Sequence, residues 1–202
     1  MESKDTKELI LQKTFYLLLL KGYDGVSISD IQKETGMARG LLYHYFGSKA
    51  QLFVEAAKLY LVKALDSDLD LVRDYTIPGM IGYMLGKYKA ACSNNWADFP
   101  IEEHISLANY DFLIYRMIEE HEDIREKYIV LRRKELEAWE FAVSNSLKRN
   151  EIREVMPPYK IARYFDCLVD GVWTGSPLYE KEGDLVAQLD NMLQGFYNII
   201  KV

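Results

Sequence analysis

Between Val26 and Leu52 the chain reads VSISDIQKETGMARGLLYHYFGSKAQL, and Arg39, Gly40, Tyr43, His44, Tyr45 and Lys49 lie close together within it. These residue types suit contact with a polyanion that also presents flat, polar edges. Arginine can donate paired hydrogen bonds to guanine O6 and N7, or hold a phosphate. Tyr43, one helical turn after Arg39, offers a hydroxyl donor and an apolar ring, and Gly40 lets a backbone come close. His44 and Tyr45 can reach phosphate oxygens. Lys49 falls at the start of a further helix, where free amides and the helix dipole also favour an anion. Ser27 and Ser29 are similarly placed at the start of an earlier helix, although Ser27 and Ser48 are chiefly caps. Contacts of this kind mostly fix position along a duplex, and few of them read its sequence.

Positioning these side chains takes two very short helices. The first starts after Ser27, with Asp30 completing a capping box, and ends at Gly36. The second covers about Ala38 to Tyr45. Neither is long enough to be stable alone, so both must be held by flanking helices. One spans about Asp5 to Lys21, has an apolar face including Leu9, Ile10, Phe15, Leu17 and Leu20, and is stopped by Gly22. The other starts at Ser48 and runs to about Tyr75, because Leu52, Phe53, Ala56, Leu59, Tyr60 and Ala64 keep helical spacing. Ile28, Ile31, Leu42 and Phe46 are the expected internal contacts. A short helix pair joined by a glycine-containing turn, Thr35-Gly36-Met37, is the helix-turn-helix plan, whose second helix enters the major groove.

The rest of the chain reads as all-α. Pro78 opens a second region with helices expected at about 79–94, 101–120, 122–149, 158–179 and 183–201, interrupted at Asn94-Asn95-Trp96 and at Pro157-Pro158. No repeat or alternating strand pattern is present. Charge is unevenly distributed: residues 1–50 carry a net +1 and residues 51–202 a net −7, which leaves the front freer to approach phosphate. No apolar run is long enough to span a bilayer and the N-terminus lacks a signal-peptide pattern, so a cytoplasmic protein with no membrane association is expected. Cys92 and Cys167 have no metal-ligand spacing and read as buried thiols.

The series Ile31, Thr35-Gly36, Gly40, Tyr43-His44-Tyr45-Phe46, Ser48-Lys49 and Leu52, preceded by Phe15 and Gly22-Tyr23, resembles the DNA-binding signature of the TetR family. The resemblance covers about a quarter of the chain. It implies an N-terminal three-helix helix-turn-helix DNA-binding domain (residues 1–50) and a C-terminal helical effector-binding and dimerisation domain (residues 51–202). It assigns Arg39, Gly40 and Tyr43 to positions near bases and phosphates, Tyr45 to a phosphate-contacting position and Lys49 to the family's motif lysine. Leu41 departs from the pattern, since many relatives carry a small or polar residue there; contact with a thymine methyl is the alternative to polar readout.

Beyond residue 52 the resemblance is architectural. It implies a homodimer built through the last two helices, with Leu168, Gly171 and Val172 on one and Leu189, Met192 and Phe196 on the other, forming a four-helix bundle across a two-fold axis. It implies an effector pocket, for which Trp96, Phe99, Tyr110, Phe112, Tyr115, Trp139, Phe141 and Tyr164 are candidate lining residues. Filling a core is the competing role of each ring. Aromatic enrichment suits an aromatic or cationic ligand. The function so implied is a regulator, a repressor released from operator DNA by a small molecule.

A second possibility is a helical-bundle metalloprotein or enzyme using Glu102-Glu103-His104 and Glu119-Glu120-His121-Glu122. Adjacent Glu-His pairs point about 100° apart on a helix, unlike the Glu-x-x-His spacing of bundle di-metal sites. With few histidines and no nucleophile–base set or phosphate-binding loop, neither catalysis, a metal nor a cofactor is expected.

Overall fold

Glycines, prolines and capping side chains decide where helices begin and end in the computed structural model, which describes residues 2–62, 66–93, 107–179 and 185–202. The helices are α1 (Glu2–Gly25), α2 (Ile28–Thr35), α3 (Arg39–Phe46), α4 (Lys49–Ala57), α5 (Leu69–Val72), α6 (Ile77–Ser93), α7 (Leu107–Glu120), α8 (Glu122–Lys148), α9 (Pro158–Tyr179) and α10 (Leu185–Ile200). A single π-helical turn, Lys58–Val62, continues α4. Among the described residues the only strand-like pairing is an isolated bridge between Ile152 and Lys201. The expected all-α architecture is therefore present.

Most helix ends follow the predicted signals. Pro158 occupies the first position of α9, where its missing N–H costs nothing. Glu122 and Asp123 open α8 and Lys148 closes it, complementing the helix dipole. Gly22 adopts φ 70° and breaks α1, but a further turn follows it to Gly25.

The expected continuous helix from Ser48 to Tyr75 is not formed. Its α-helical part ends at Ala57, and Asp68 accepts a hydrogen bond from the Leu71 amide at 3.1 Å to start the separate four-residue α5. Short polar side chains compete for backbone amides, so Asp66-Ser67-Asp68 favours a new cap over a helix interior. The interruption at Asn94-Asn95-Trp96, and the predicted helix starts at 101 and 183, lie outside the described residues.

The chain divides into two compact units: Met1–Leu65 with Glu102–Ile129, and Asp66–Ile101 with Val130–Val202. In the first, α1 packs on α2, α4 and α7. Ile10, Phe15, Leu18, Ile31, Leu42, Phe46, Leu52, Phe53, Met117 and Ile124 are buried there. In the second, α10 packs on α6 and α9. Its core gathers Met80, Met84, Trp139, Val143, Phe165, Val169 and Leu193. Ser146, fully buried, accepts from the Ile77 amide at 2.9 Å and donates to Glu151 at 3.0 Å, so its burial leaves no polar group unpaired.

Cys167 corrects the expectation of a buried thiol. It is exposed, on the same face of α9 as Tyr164 and Gly171, because Phe165, Asp166 and Val169 take the inward positions. The side chain of Cys92 lies outside the described residues.

Candidate nucleic-acid interface

The helix pair is built from local chemistry. The Asp30 amide donates to Ser27 Oγ at 3.1 Å, and the Ser27 amide donates to Asp30 Oδ2 at 2.8 Å, a reciprocal capping box that starts α2. Gly36, at φ 70°, ends α2, with its amide bonded to the Gln32 carbonyl at 2.9 Å. That left-handed conformation is unstrained only for glycine. The Thr35 hydroxyl donates to the Ile31 carbonyl at 2.7 Å and accepts from the Met37 amide at 3.3 Å, fixing the turn into α3. Ser48 then accepts from the Gln51 amide at 3.1 Å and starts α4.

Burial of Leu42 and Phe46, one turn apart, sets the rotation of α3. At about 100° per residue, the opposite arc belongs to Gly40 and His44, with Leu41 beside them. Gly40, Leu41 and His44 are exposed accordingly, Tyr43 and Tyr45 are half-buried on the flanks, and Arg39, on the Leu42 side of the helix, is exposed at its first position. The Arg39 guanidinium lies 5.5 Å from the centre of the Tyr43 ring, and Lys49 Nζ lies 5.0 Å from that of Phe53. His44 and Tyr45 meet edge-on at 5.6 Å. Ser29 is exposed one residue into α2, while Ser27 is occupied by its cap. Gly40, Tyr43, His44 and Tyr45 thus lie on or beside one outward arc of α3, while Ser27, Ser29, Arg39 and Lys49 stand at the starts of α2, α3 and α4.

Electrostatics separates the basic side chains of this unit into two groups. Lys7 pairs with Glu55 at 2.7 Å, Lys13 with Glu34 at 3.1 Å and Lys21 with Asp30 at 2.6 Å. The Lys21 ammonium and the Ser27 hydrogen bonds hold the Asp30 carboxyl well below the usual carboxylate range. Among the described residues, Arg39 and Lys49 have no carboxylate partner. Their charge is stabilised by ring faces and stays available to an outside anion. The α1–α2 ion pairs are features that sequence reasoning missed. Their partners are 21 and 9 positions apart, and no local pattern announces them.

His121, weighed above as a metal ligand, instead shares a hydrogen bond of 3.1 Å with the Tyr23 hydroxyl. Glu119 and Glu120 pair with Arg116 at 2.6 and 2.9 Å, and Glu122 pairs with Arg125. Burial, with Glu120 and Asp24 nearby, raises the Tyr23 phenol above its ordinary value. Among the described residues, no group of three histidine, cysteine or acidic side chains converges on a metal position. Glu102, Glu103 and His104 lie outside them.

The rings assigned to a pocket are distributed over both units. Trp96 and Phe99 lie outside the described residues. In the first unit Tyr110 meets Phe15 edge-on at 6.0 Å, while Phe112, 74% exposed, and Tyr115 face solvent. In the second unit Trp139 is fully buried and stacks on Phe165 at 4.8 Å, Phe141 is half-buried under Arg73, and Tyr164 is exposed against Phe196. Of the residues assigned to dimerisation, Leu189 is buried in the core and Leu168, Val172 and Phe196 pack against it. Gly171 and Met192 face outward.

Fold and site together define an all-helical protein with an N-terminal helix-turn-helix. Residues 10–56 match the family model described as "Bacterial regulatory proteins, tetR family". An HTH-type transcriptional regulator in the lacX 3' region of Lactococcus lactis subsp. lactis is 48% identical over 48 residues, 24% of each chain. The HTH-type transcriptional repressor AcnR of Corynebacterium jeikeium is 26% identical over 98 residues, 48% of each chain. The chain thus spans about a quarter to a half of the length of these curated relatives. Over nearly its whole length it shares the fold of a transcriptional regulator from Saccharomonospora viridis solved in complex with choline, with a TM-score of 0.74, 17% identity, and 98% and 99% of the two chains covered. Residues 10–56 thus match the DNA-binding segment of the TetR family, and the chain as a whole shares the fold of that regulator.

Proposed function

We propose that the chain is a DNA-binding transcriptional regulator, a homodimeric repressor that a small molecule releases from its operator. The observation that carries this reading is the outward arc of α3. Beside it, Arg39 at the start of α3 and Lys49 at the start of α4 are uncommitted, whereas Lys7, Lys13 and Lys21 of α1 pair with carboxylates. A duplex supplies both missing partners, phosphate oxygens and base edges. In this reading residues 1–50 form the DNA-binding head, and Ser27, Ser29, Arg39, Gly40, Tyr43, His44, Tyr45 and Lys49 contact DNA. Residues 51–202 carry effector binding and dimerisation.

Pairing follows from mechanics. One eight-residue helix covers a single half-site, so specific binding needs two copies whose α3 helices reach major grooves about 34–36 Å apart or a multiple of that. The outward face of α9 and α10 suits the seam. It carries Tyr164, Gly171, Met192 and Ile199, apolar or small residues left exposed by one chain. An effector that alters the spacing switches binding, and by linkage it binds the DNA-bound form less tightly. The Trp139 indole N–H, buried with no protein acceptor in reach, offers a donor that an effector could satisfy. An aromatic or cationic effector suits the ring content, and the Saccharomonospora protein of the same fold was solved with choline. No described helix is long and apolar enough to cross a membrane, which agrees with a cytoplasmic site of action.

Fluorescence anisotropy of the full chain on duplexes selected from a random pool tests the reading. Selection should yield a two-fold symmetric site bound by a dimer. Unchanged specific affinity in both Tyr43→Ala and Lys49→Ala would remove the assignment of the head.

A further inference from the structure

Leu41 differs from every other exposed side chain of α3, and its role rests on the reading of α3 as the helix that enters the groove. It is 37% exposed, while its neighbour Leu42 is 1% exposed and fixes the inward face. Gly40 and His44 share the outward arc with it and Arg39 is exposed at the helix start, so Leu41 is the one apolar side chain among the exposed residues of α3. A Cβ at Gly40 would meet no protein atom within 4 Å. Leu41 therefore stands beside a bare stretch of backbone, with more than a third of its surface open to solvent. It also lies in the first turn of α3, the part of a recognition helix from which base edges are reached.

The groove offers one chemical match. Base pairs present donors and acceptors along the major groove, and the thymine C5 methyl is the apolar group among them. A leucine set against a donor or acceptor strips it of water and returns no hydrogen bond. Set against a methyl, both surfaces leave water favourably. We propose that Leu41 is a specificity-determining residue that packs on the 5-methyl group of a thymine in each half-site.

Deoxyuridine scanning tests this, because it removes the methyl and leaves every hydrogen-bonding group in place. The full-length protein first selects its site from a random duplex pool, and each thymine of that site is then replaced in turn. One thymine per half-site should weaken wild-type binding about fourfold on replacement, the factor that corresponds to roughly 0.8 kcal/mol for one methyl. Leu41→Ala should bind more weakly and be indifferent at that same thymine, and Leu41→Val should retain part of the sensitivity. The salt dependence should not change, since no phosphate contact is lost. Identical deoxyuridine profiles for wild type and Leu41→Ala overturn the proposal while leaving the DNA-binding reading intact. Failure of the wild type to enrich any sequence overturns that reading, and the role of Leu41 falls with it.

Discussion

In the first unit Arg39 is exposed and Lys49 half-buried, each beside a ring face, and the ion pairs around them are exposed or only partly buried. In the second unit the charges turn inward. Lys87 Nζ lies 3.1 Å from Ser67 Oγ and 3.4 Å from Glu135, and Arg132 lies 3.3 Å from Glu135, 3.1 Å from Asp166 and 2.6 Å from Asp170. The consequences for protonation are opposite. Lys21 and Ser27 lower the exposed Asp30 carboxyl, so its pairing outweighs its desolvation. Burial raises Asp166 despite Arg132, and burial lowers Lys87 despite Glu135. The same pairing chemistry thus favours charge at the surface of one unit and only partly offsets the desolvation of charge inside the other. The inner network ties α6, α8 and α9 into one register. The outer arrangement leaves Arg39 and Lys49 available to a partner.

The contrast is broken most severely by removing one member of the inner network. Glu135→Leu should destabilise the chain by about 3–5 kcal/mol in urea unfolding, because Lys87 would stay buried without its carboxylate. Adding Lys87→Met to Glu135→Leu should recover most of that loss, since an apolar pair of similar volume replaces an ionic one. A single-variant cost below about 1 kcal/mol, the range of exposed pairs, would show that these groups are solvated. Next in size is Arg39→Ala, which should leave the unfolding midpoint unchanged and weaken specific DNA binding by about 1–3 kcal/mol in anisotropy titrations. A shifted midpoint with unchanged affinity would place Arg39 with the inner charges rather than the outer ones.

What the sequence made legible follows the range of each interaction. The start of α2 at Ser27, its end at Gly36 and the start of α4 at Ser48 were readable because a cap and its partner lie within about four residues. The outward placement of Gly40 and His44 was readable too, because burial of Leu42 and Phe46 fixes the rotation of so short a helix. The break before Asp68 was not, since Leu52 to Ala64 keep helical period and the period does not reveal where a cap takes over. Nor were Lys13–Glu34, Lys87–Glu135 or Tyr23–His121, whose partners meet only after the chain has folded. The exposure of Cys167 depends on which face of α9 is taken up by Phe165 and Val169, and residue type alone does not decide that.

Two smaller effects sharpen the same comparison within the helix pair. Gly40→Ala should stabilise the chain by about 1 kcal/mol, because alanine is the better helix former and the new methyl meets no protein atom within 4 Å. It should nevertheless weaken DNA binding, so that calorimetry and anisotropy move in opposite directions. Parallel changes would mean that the space above Gly40 is not used by DNA. The smallest effect is acid sensitivity through Asp30. Its folded-state carboxyl is depressed, so its contribution is complete above the usual carboxylate range and is lost as pH falls through the depressed value. Thermal midpoints followed downward from pH about 5 should therefore fall less steeply for Asp30→Asn than for wild type, and added salt should narrow the difference because the Lys21–Asp30 pair is exposed. Equal slopes would mean that the capping box holds equally well with a neutral partner, and that charge contributes to α3 and its surroundings only through the cations left for the duplex.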